Sequence, residues 1–147
     1  MDAIQLLKDD HQKMKRLLNE LDGTTERGAK TRQELFAKVK EELTVHETIE
    51  EEIFYPALKE HPKAKEIVLE AYEEHGVVDM VMADIETVSF EDETWGAKFT
   101  VMKENIEHHI EEEENEMFRQ ARDVFEPQEL EELGSRMMSR KEQLQAA

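Results

Sequence analysis

Four apolar stripes at helical spacing, each interrupted by a histidine, constrain this chain more than any other feature. Apolar residues recur at Leu35, Val39 and Leu43, then again at Ile53 and Ala57. The missing members of that stripe are His46 and Glu50. They are four residues apart, so on a helix they share one face, one turn from each other. The pattern repeats. Ile4, Leu7, Met14, Leu18 and Leu21 leave a gap filled by His11. Val68, Tyr72, Met82 and Ile85 leave one filled by His75 and Asp79. Phe99, Met102, Ile106 and Met117 leave one filled by His109 and Glu113. A polar group at a core position is costly unless something satisfies it. Seven such groups on four stripes therefore call for a shared partner.

The stripes set the helices. The first runs from about Ala3 to Leu21 and stops at Asp22-Gly23-Thr24, with Gly23 expected as a left-handed cap. The second runs from about Lys30 to Leu58, with Pro56 expected to kink or close it. His61-Pro62 makes a turn. The third helix runs from about Lys63 to Val88, and Gly76 beside His75 points to a close backbone approach. Residues 89–94 form a loop before the fourth helix, about Trp95 to Val124. Pro127 then suits the first turn of a shorter helix carrying Leu130, Leu133, Met137 and Leu144. The halves resemble each other: His11 and His75 are offset by 64 residues, His46 and His109 by 63. HETIEEEIFYPAL matches HIEEEENEMFRQA. These features imply an all-α, up-down-up-down antiparallel four-helix bundle with a short C-terminal fifth helix. A single domain over 1–147 is expected, with the bundle at about 3–124 and the accessory helix at about 127–145.

Composition narrows the function. A net charge of −18 opposes binding to nucleic acid or to an anionic membrane surface, and it attracts cations. With no cysteine, thiolate metal sites and cysteine nucleophiles are excluded. The start MDAIQLLKDDH lacks a signal peptide's basic and apolar regions, and no run approaches the roughly 20 apolar residues of a membrane span. A cytoplasmic protein is the expectation.

A metal site would satisfy all seven groups together. Two octahedral ions offer about twelve positions. Bridging by Glu50 and Glu113, four imidazoles, Asp79 and a bridging oxygen would leave about one position open for a small ligand. The Glu-x-x-His motif of ferritin-like dimetal bundles is absent, because Leu43, Tyr72 and Ile106 stand three before the histidines.

The quoted residues place the chain near a known family. His11, HETIE with the following Tyr55-Pro56, EEHGVVD at 73–79 and HHIEEEENEMF at 108–118 together resemble the hemerythrin-like HHE cation-binding domain over nearly the whole chain. The resemblance implies two non-haem iron ions joined by an oxo or hydroxo bridge. It implies His11, His46, Glu50, His75, His109 and Glu113 as ligands, with Glu50 and Glu113 bridging. Oxygen-carrying members have His-x-x-x-His on the third helix, whereas this chain has His75-x-x-x-Asp79. The added negative charge would favour ferric iron. The expected function is therefore binding or sensing of dioxygen, nitric oxide or peroxide. The alternatives are a catalase-like or oxygen- or nitric-oxide-reducing enzyme, and iron storage or delivery. On the fourth helix, His108 and Glu113 keep the oxygen-carrier spacing, while His109 and Glu113 keep the spacing of the second helix. The stripe selects His109, since His108 falls about 100° away. Tyr72, one turn before His75, is either plain core or a support behind the ligands, and Tyr55 has the same two readings. Glu47, Glu51, Glu52, Glu111, Glu112, Glu114 and Glu116 read as solvated acidic faces.

Overall fold

Helix α1 (Ala3–Asp22) begins where the Asp2 side chain accepts the Gln5 amide at 2.8 Å, a standard way of satisfying a free first-turn N–H. It ends at Gly23, whose φ of −82° is right-handed. No residue in the chain has positive φ, so the expected left-handed cap is replaced by an amide that turns back onto Glu20 and Leu21. The computed structural model describes residues 1–147.

Helix α2 (Ala29–Ile49) runs through a π turn (Glu50–Phe54) into α3 (Tyr55–Lys59). Helix α4 (Lys65–Ile85) returns along the bundle. Helix α5 (Trp95–Glu112) likewise runs through a π turn (Glu113–Met117) into α6 (Phe118–Val124). The sequence points to uninterrupted helices at both places. A π turn widens the helix by one residue and is characteristic of functional positions. Pro56 falls in the first turn of α3, just past the π turn, and the helical run continues to Lys59. Its missing N–H is not the general cause, because Arg119 occupies the same place in the second copy.

Helix α7 (Pro127–Ala146) starts with a capping box between Glu126 and Glu129 and packs across α1, α2 and the first π turn. Its close approach is at Gly134, where a Cβ would collide with the Met1 carbonyl and the Ala3 amide. Gly76, by contrast, has nothing within 4 Å of where a Cβ would stand. No helix is long and apolar enough to cross a membrane.

The buried apolar residues form two separate clusters. One gathers Ile4, Leu7, Phe54, Leu58, Val68, Phe118 and Met137. The other gathers Leu18, Phe36, Val39, Met82, Trp95, Phe99 and Ile106. At its far end Arg32 donates to the carbonyls of Phe90 and Thr24 and lies 4.3 Å over the Trp95 ring. Between the clusters lies a polar layer.

Candidate metal centre

The layer consists of His11, His46, Glu50, His75, His109 and Glu113, all buried. The stripe spacing brings them to one level because the helices alternate in direction and each histidine lies near the middle of its rod. Two sets of donors each fall within 4.8 Å of one another: His11, His46, Glu50 and Glu113, and Glu50, His75, His109 and Glu113. Both glutamates belong to both sets.

Every imidazole presents Nε2 inward. Glu50 Oε1 is 3.2 Å from His46 Nε2 and 3.2 Å from His75 Nε2, without hydrogen-bond geometry to either. Glu113 Oε1 is 3.0 Å from His11 Nε2, and Glu113 Oε2 is 3.1 Å from His109 Nε2. His75 Nε2 and His109 Nε2 are 3.1 Å apart. Both Glu50 oxygens and His46 Nε2 are buried without a hydrogen-bond partner. An unpaired buried carboxylate is strongly unfavourable, so this donor set fits a bound cation.

Every imidazole also holds a carboxylate at Nδ1. His11 pairs with Glu114 at 2.7 Å, His46 with Asp10 at 3.0 Å, His75 with Glu51 at 2.8 Å and His109 with Glu74 at 2.7 Å. Such a bond puts the proton on Nδ1, frees Nε2 as the donor atom, and strengthens the imidazole as a ligand. The ring of carboxylates obeys the internal repeat. The residue before His11 serves His46, and the residue before His75 serves His109. The residue after Glu113 serves His11, and the residue after Glu50 serves His75.

The comparisons with known proteins agree with this geometry. Residues 2–121 match the Hemerythrin HHE cation binding domain. The chain belongs to that family. It is also similar to a solved Hemerythrin HHE cation binding domain-containing protein from Mycobacterium kansasii. The identity is 28% and the TM-score 0.88, covering 99% of this chain and 88% of that one. No curated protein matches it.

Within this HHE domain, charge is finely balanced. Burial opposes protonation of His75, yet the Glu50 carboxylate raises its pKa to about 9. Burial likewise opposes charge on His46 and His109, and Glu50, Asp10, Glu113 and Glu74 carry both well above the ordinary histidine value. His11 is raised despite burial by Glu113 and Glu114. Burial would push Glu113 up, but His109 and His11 hold it well below the usual carboxylate range. The surrounding carboxylates thus favour protons on the imidazoles. A cation would take their place and release them.

Tyr55 lies inside the cage. Its hydroxyl donates to Glu113 Oε2 at 2.5 Å and lies 3.3 Å from His75 Nε2 and 3.4 Å from His109 Nε2. Tyr72 stands further out. Its hydroxyl donates to the Glu51 carbonyl at 3.4 Å and its ring packs edge-on to Tyr55, 5.3 Å between centroids. It supports Tyr55 and the Glu51 backbone and touches no ligand-type atom of the cage.

Asp79 does not join the layer. It is exposed, and neither set of converging donors includes it. The inner face of α4 runs through Ala71, His75, Val78, Met82 and Ile85, so the interior takes the residue three after His75 instead of four. Tyr72 falls off that face for the same reason. Asp79 lies beside Glu47, whose carboxyl is pushed up to about 8 by burial, with the Asp79 charge adding to the rise. Glu47, Glu51 and Glu114, expected on solvated faces, are thus drawn against the site, Glu47 being only 8% exposed. Asp10 and Glu74 carried no sequence signal beyond standing before a histidine. His108 is exposed and contacts Glu112 at 3.4 Å, whereas His109 faces the cage.

A cavity of about 20 Å³ reaches the four imidazoles from the second apolar cluster, between Met14, Leu43, Val78, Ile106 and Ile110. That is room for about one water-sized molecule. Asp10, Glu42 and Glu47 complete its wall.

Proposed function

We propose that this HHE domain is a non-haem di-iron protein that binds or senses one small ligand, dioxygen, nitric oxide or peroxide, at an open metal position. The observation that supports it most is the sharing of Glu50 and Glu113 by both donor sets, which fits two bridged ions better than one. In this reading His11 and His46 would hold one ion, His75 and His109 the other, and both glutamates would be shared between them. Imidazole with carboxylate suits iron, which supplies reversible electron transfer and Lewis acidity when bound.

The chain's own residues do the rest. The four outer carboxylates orient the rings and keep their Nε2 atoms free. Without Asp79, four imidazoles, two shared carboxylates and a bridging oxygen would leave about two of the twelve or so positions that two octahedral ions would offer. The small cavity limits what reaches them, and its aliphatic wall keeps bulk water out. Tyr55 holds a proton at its hydroxyl oxygen, between Glu113 and the His75 and His109 rings. That proton favours a second reading, in which the same centre turns over peroxide, oxygen or nitric oxide.

Metal analysis and an optical spectrum test the first reading. Two iron ions per chain are expected, with near-ultraviolet absorption that shifts when azide or peroxide is added. Purified protein without iron, or a spectrum indifferent to both ligands, would sink it. Oxygen release from peroxide, abolished in the double variant His46→Ala, His109→Ala, would establish turnover.

A further inference from the structure

Helix α7 reaches the metal centre through one side chain. Lys141 Nζ is ion-paired to Asp10 Oδ1, and the other oxygen of that carboxylate, Oδ2, accepts His46 Nδ1 at 3.0 Å. The chain Lys141–Asp10–His46 is enclosed: the Asp10 side chain is 8% exposed and that of Lys141 17%. Of the four carboxylates behind the histidines, Asp10 alone is also ion-paired to a cationic side chain. Glu74, its counterpart in the internal repeat, serves His109 with no lysine, and at the shorter distance of 2.7 Å. The His46 bond is the longest of the four, as expected for an acceptor whose charge is divided between two donors.

We propose that Lys141 is a positioning residue of the metal centre that makes its two ions unequal. By taking part of the Asp10 charge, it leaves His46 the weakest imidazole donor of the four. The ion held by His11 and His46 is then released more readily than the ion held by His75 and His109. This rests on the di-iron reading above. The effect is local, because a carboxylate behind a ligating histidine sets how strongly that ring donates. It also gives α7, which contributes no ligand, a reason to cross α1 beside the site.

The experiment uses the full chain, loaded with iron and assayed for two ions per chain before a chelator is added. Release is then followed by absorbance. The native protein is expected to lose its ions in two phases. Lys141→Met should slow the fast phase about tenfold, the lower end of the 10–100-fold usual for partners behind ligands, and leave the slow phase alone. Lys141→Arg should restore the native rates. Asp10→Asn should act in the opposite direction and speed the fast phase. That opposition separates tuning from support, since a lysine that merely props up Asp10 would make both variants release faster. Arg140→Met, which removes the neighbouring ion pair to Glu52 at 2.7 Å, should leave both phases unchanged. Faster release in Lys141→Met, an equal effect of Arg140→Met, or a single phase in the native protein would overturn the proposal. Loading of two ions with any of these results refutes the Lys141 role alone; failure to load two ions refutes the di-iron reading and this role with it.

Discussion

The two halves of the polar layer are near copies, and they differ at one atom that matters. Tyr55 stands five residues after Glu50, and Phe118 stands five after Glu113. Each ring covers a histidine of the other half: Tyr55 lies over His75, centroids 5.3 Å apart, and Phe118 stacks on His11 at 5.8 Å. The Tyr55 hydroxyl reaches Glu113, whereas Phe118 has nothing to offer Glu50. Glu113 is accordingly hydrogen-bonded by Tyr55 and His11, while both oxygens of Glu50 are left without a partner. The repeat builds a symmetric cage, and a single oxygen leaves one shared carboxylate hydrogen-bonded and the other without a donor.

The largest test is removal of each bridge. Glu50→Gln and Glu113→Gln should each lose both ions, read by metal analysis. The thermal stabilisation that metal confers, about 2.7 kcal/mol at a hundredfold excess over Kd, should vanish with them. The metal-free proteins should then part company. Glu113→Gln leaves an imidazole and a phenol facing a neutral amide and should cost about 3 kcal/mol in urea unfolding. Glu50→Gln removes the charge that raises His75 but no hydrogen bond, so its cost should fade as pH passes about 9. Glu113→Gln also loses the Tyr55 hydrogen bond and should keep part of its cost there. A Glu113→Gln cost that fades completely would break the asymmetry.

Acidity probes the same balance. The folded pKa of His75 is raised to about 9 from an ordinary 6.5, so its contribution to stability is complete below pH 6.5 and lost as pH climbs through 9. His46 and His109 are raised in the same sense. Metal-free protein should therefore weaken between about pH 6.5 and 9, by about 3 kcal/mol for His75. Glu113, depressed when folded, contributes stability above the usual carboxylate value and loses it as pH falls below. The metal-loaded protein should be flat across the alkaline range, because a cation has already displaced the protons. A metal-free protein just as flat would show that the imidazoles are neutral.

Exchanging the one atom comes next. Tyr55→Phe makes the two halves alike and takes a donor from buried Glu113, at a cost of about 1–3 kcal/mol to the metal-free protein. Phe118→Tyr should supply Glu50 with the missing hydroxyl and recover part of that loss when added to Tyr55→Phe. Urea unfolding of the two variants and their combination measures it; strict additivity would mean that the hydroxyl does not act through the carboxylates.

Much of this was legible from spacing, and what was hidden has physical causes. Periodicity locates His11, His46, Glu50, His75, His109 and Glu113 because each replaces an apolar residue on a buried stripe, and burial is what periodicity reports. The outer carboxylates Asp10, Glu51, Glu74 and Glu114 were lost among the chain's many acidic residues, since a side chain that reaches inward from the edge of a helix has no apolar neighbours at its spacing. The π turns escaped for another reason. Helical spacing is unchanged up to Glu50 and Glu113, and the extra residue shifts the face only afterwards, where Tyr55 and Phe118 swing into the layer at five residues instead of four. A repeated glutamate followed at five by an aromatic was the signal that could have found them.

The smallest expected effect concerns Asp79. Four-residue spacing after His75 makes it the formal equivalent of Glu50 and Glu113, yet α4 contains no π turn and turns Val78 inward in its place. Its carboxylate faces Glu47 and solvent, where it adds like charge to a group already disfavoured by burial. Asp79→Ala should therefore leave the metal content and the optical spectrum unchanged. Stability should move by no more than about 0.5 kcal/mol, as for surface substitutions generally. Metal analysis decides the matter. Loss of an ion in Asp79→Ala would make α4 a third contributor of carboxylate to the centre and would break the twofold pattern on which the comparison of the halves rests.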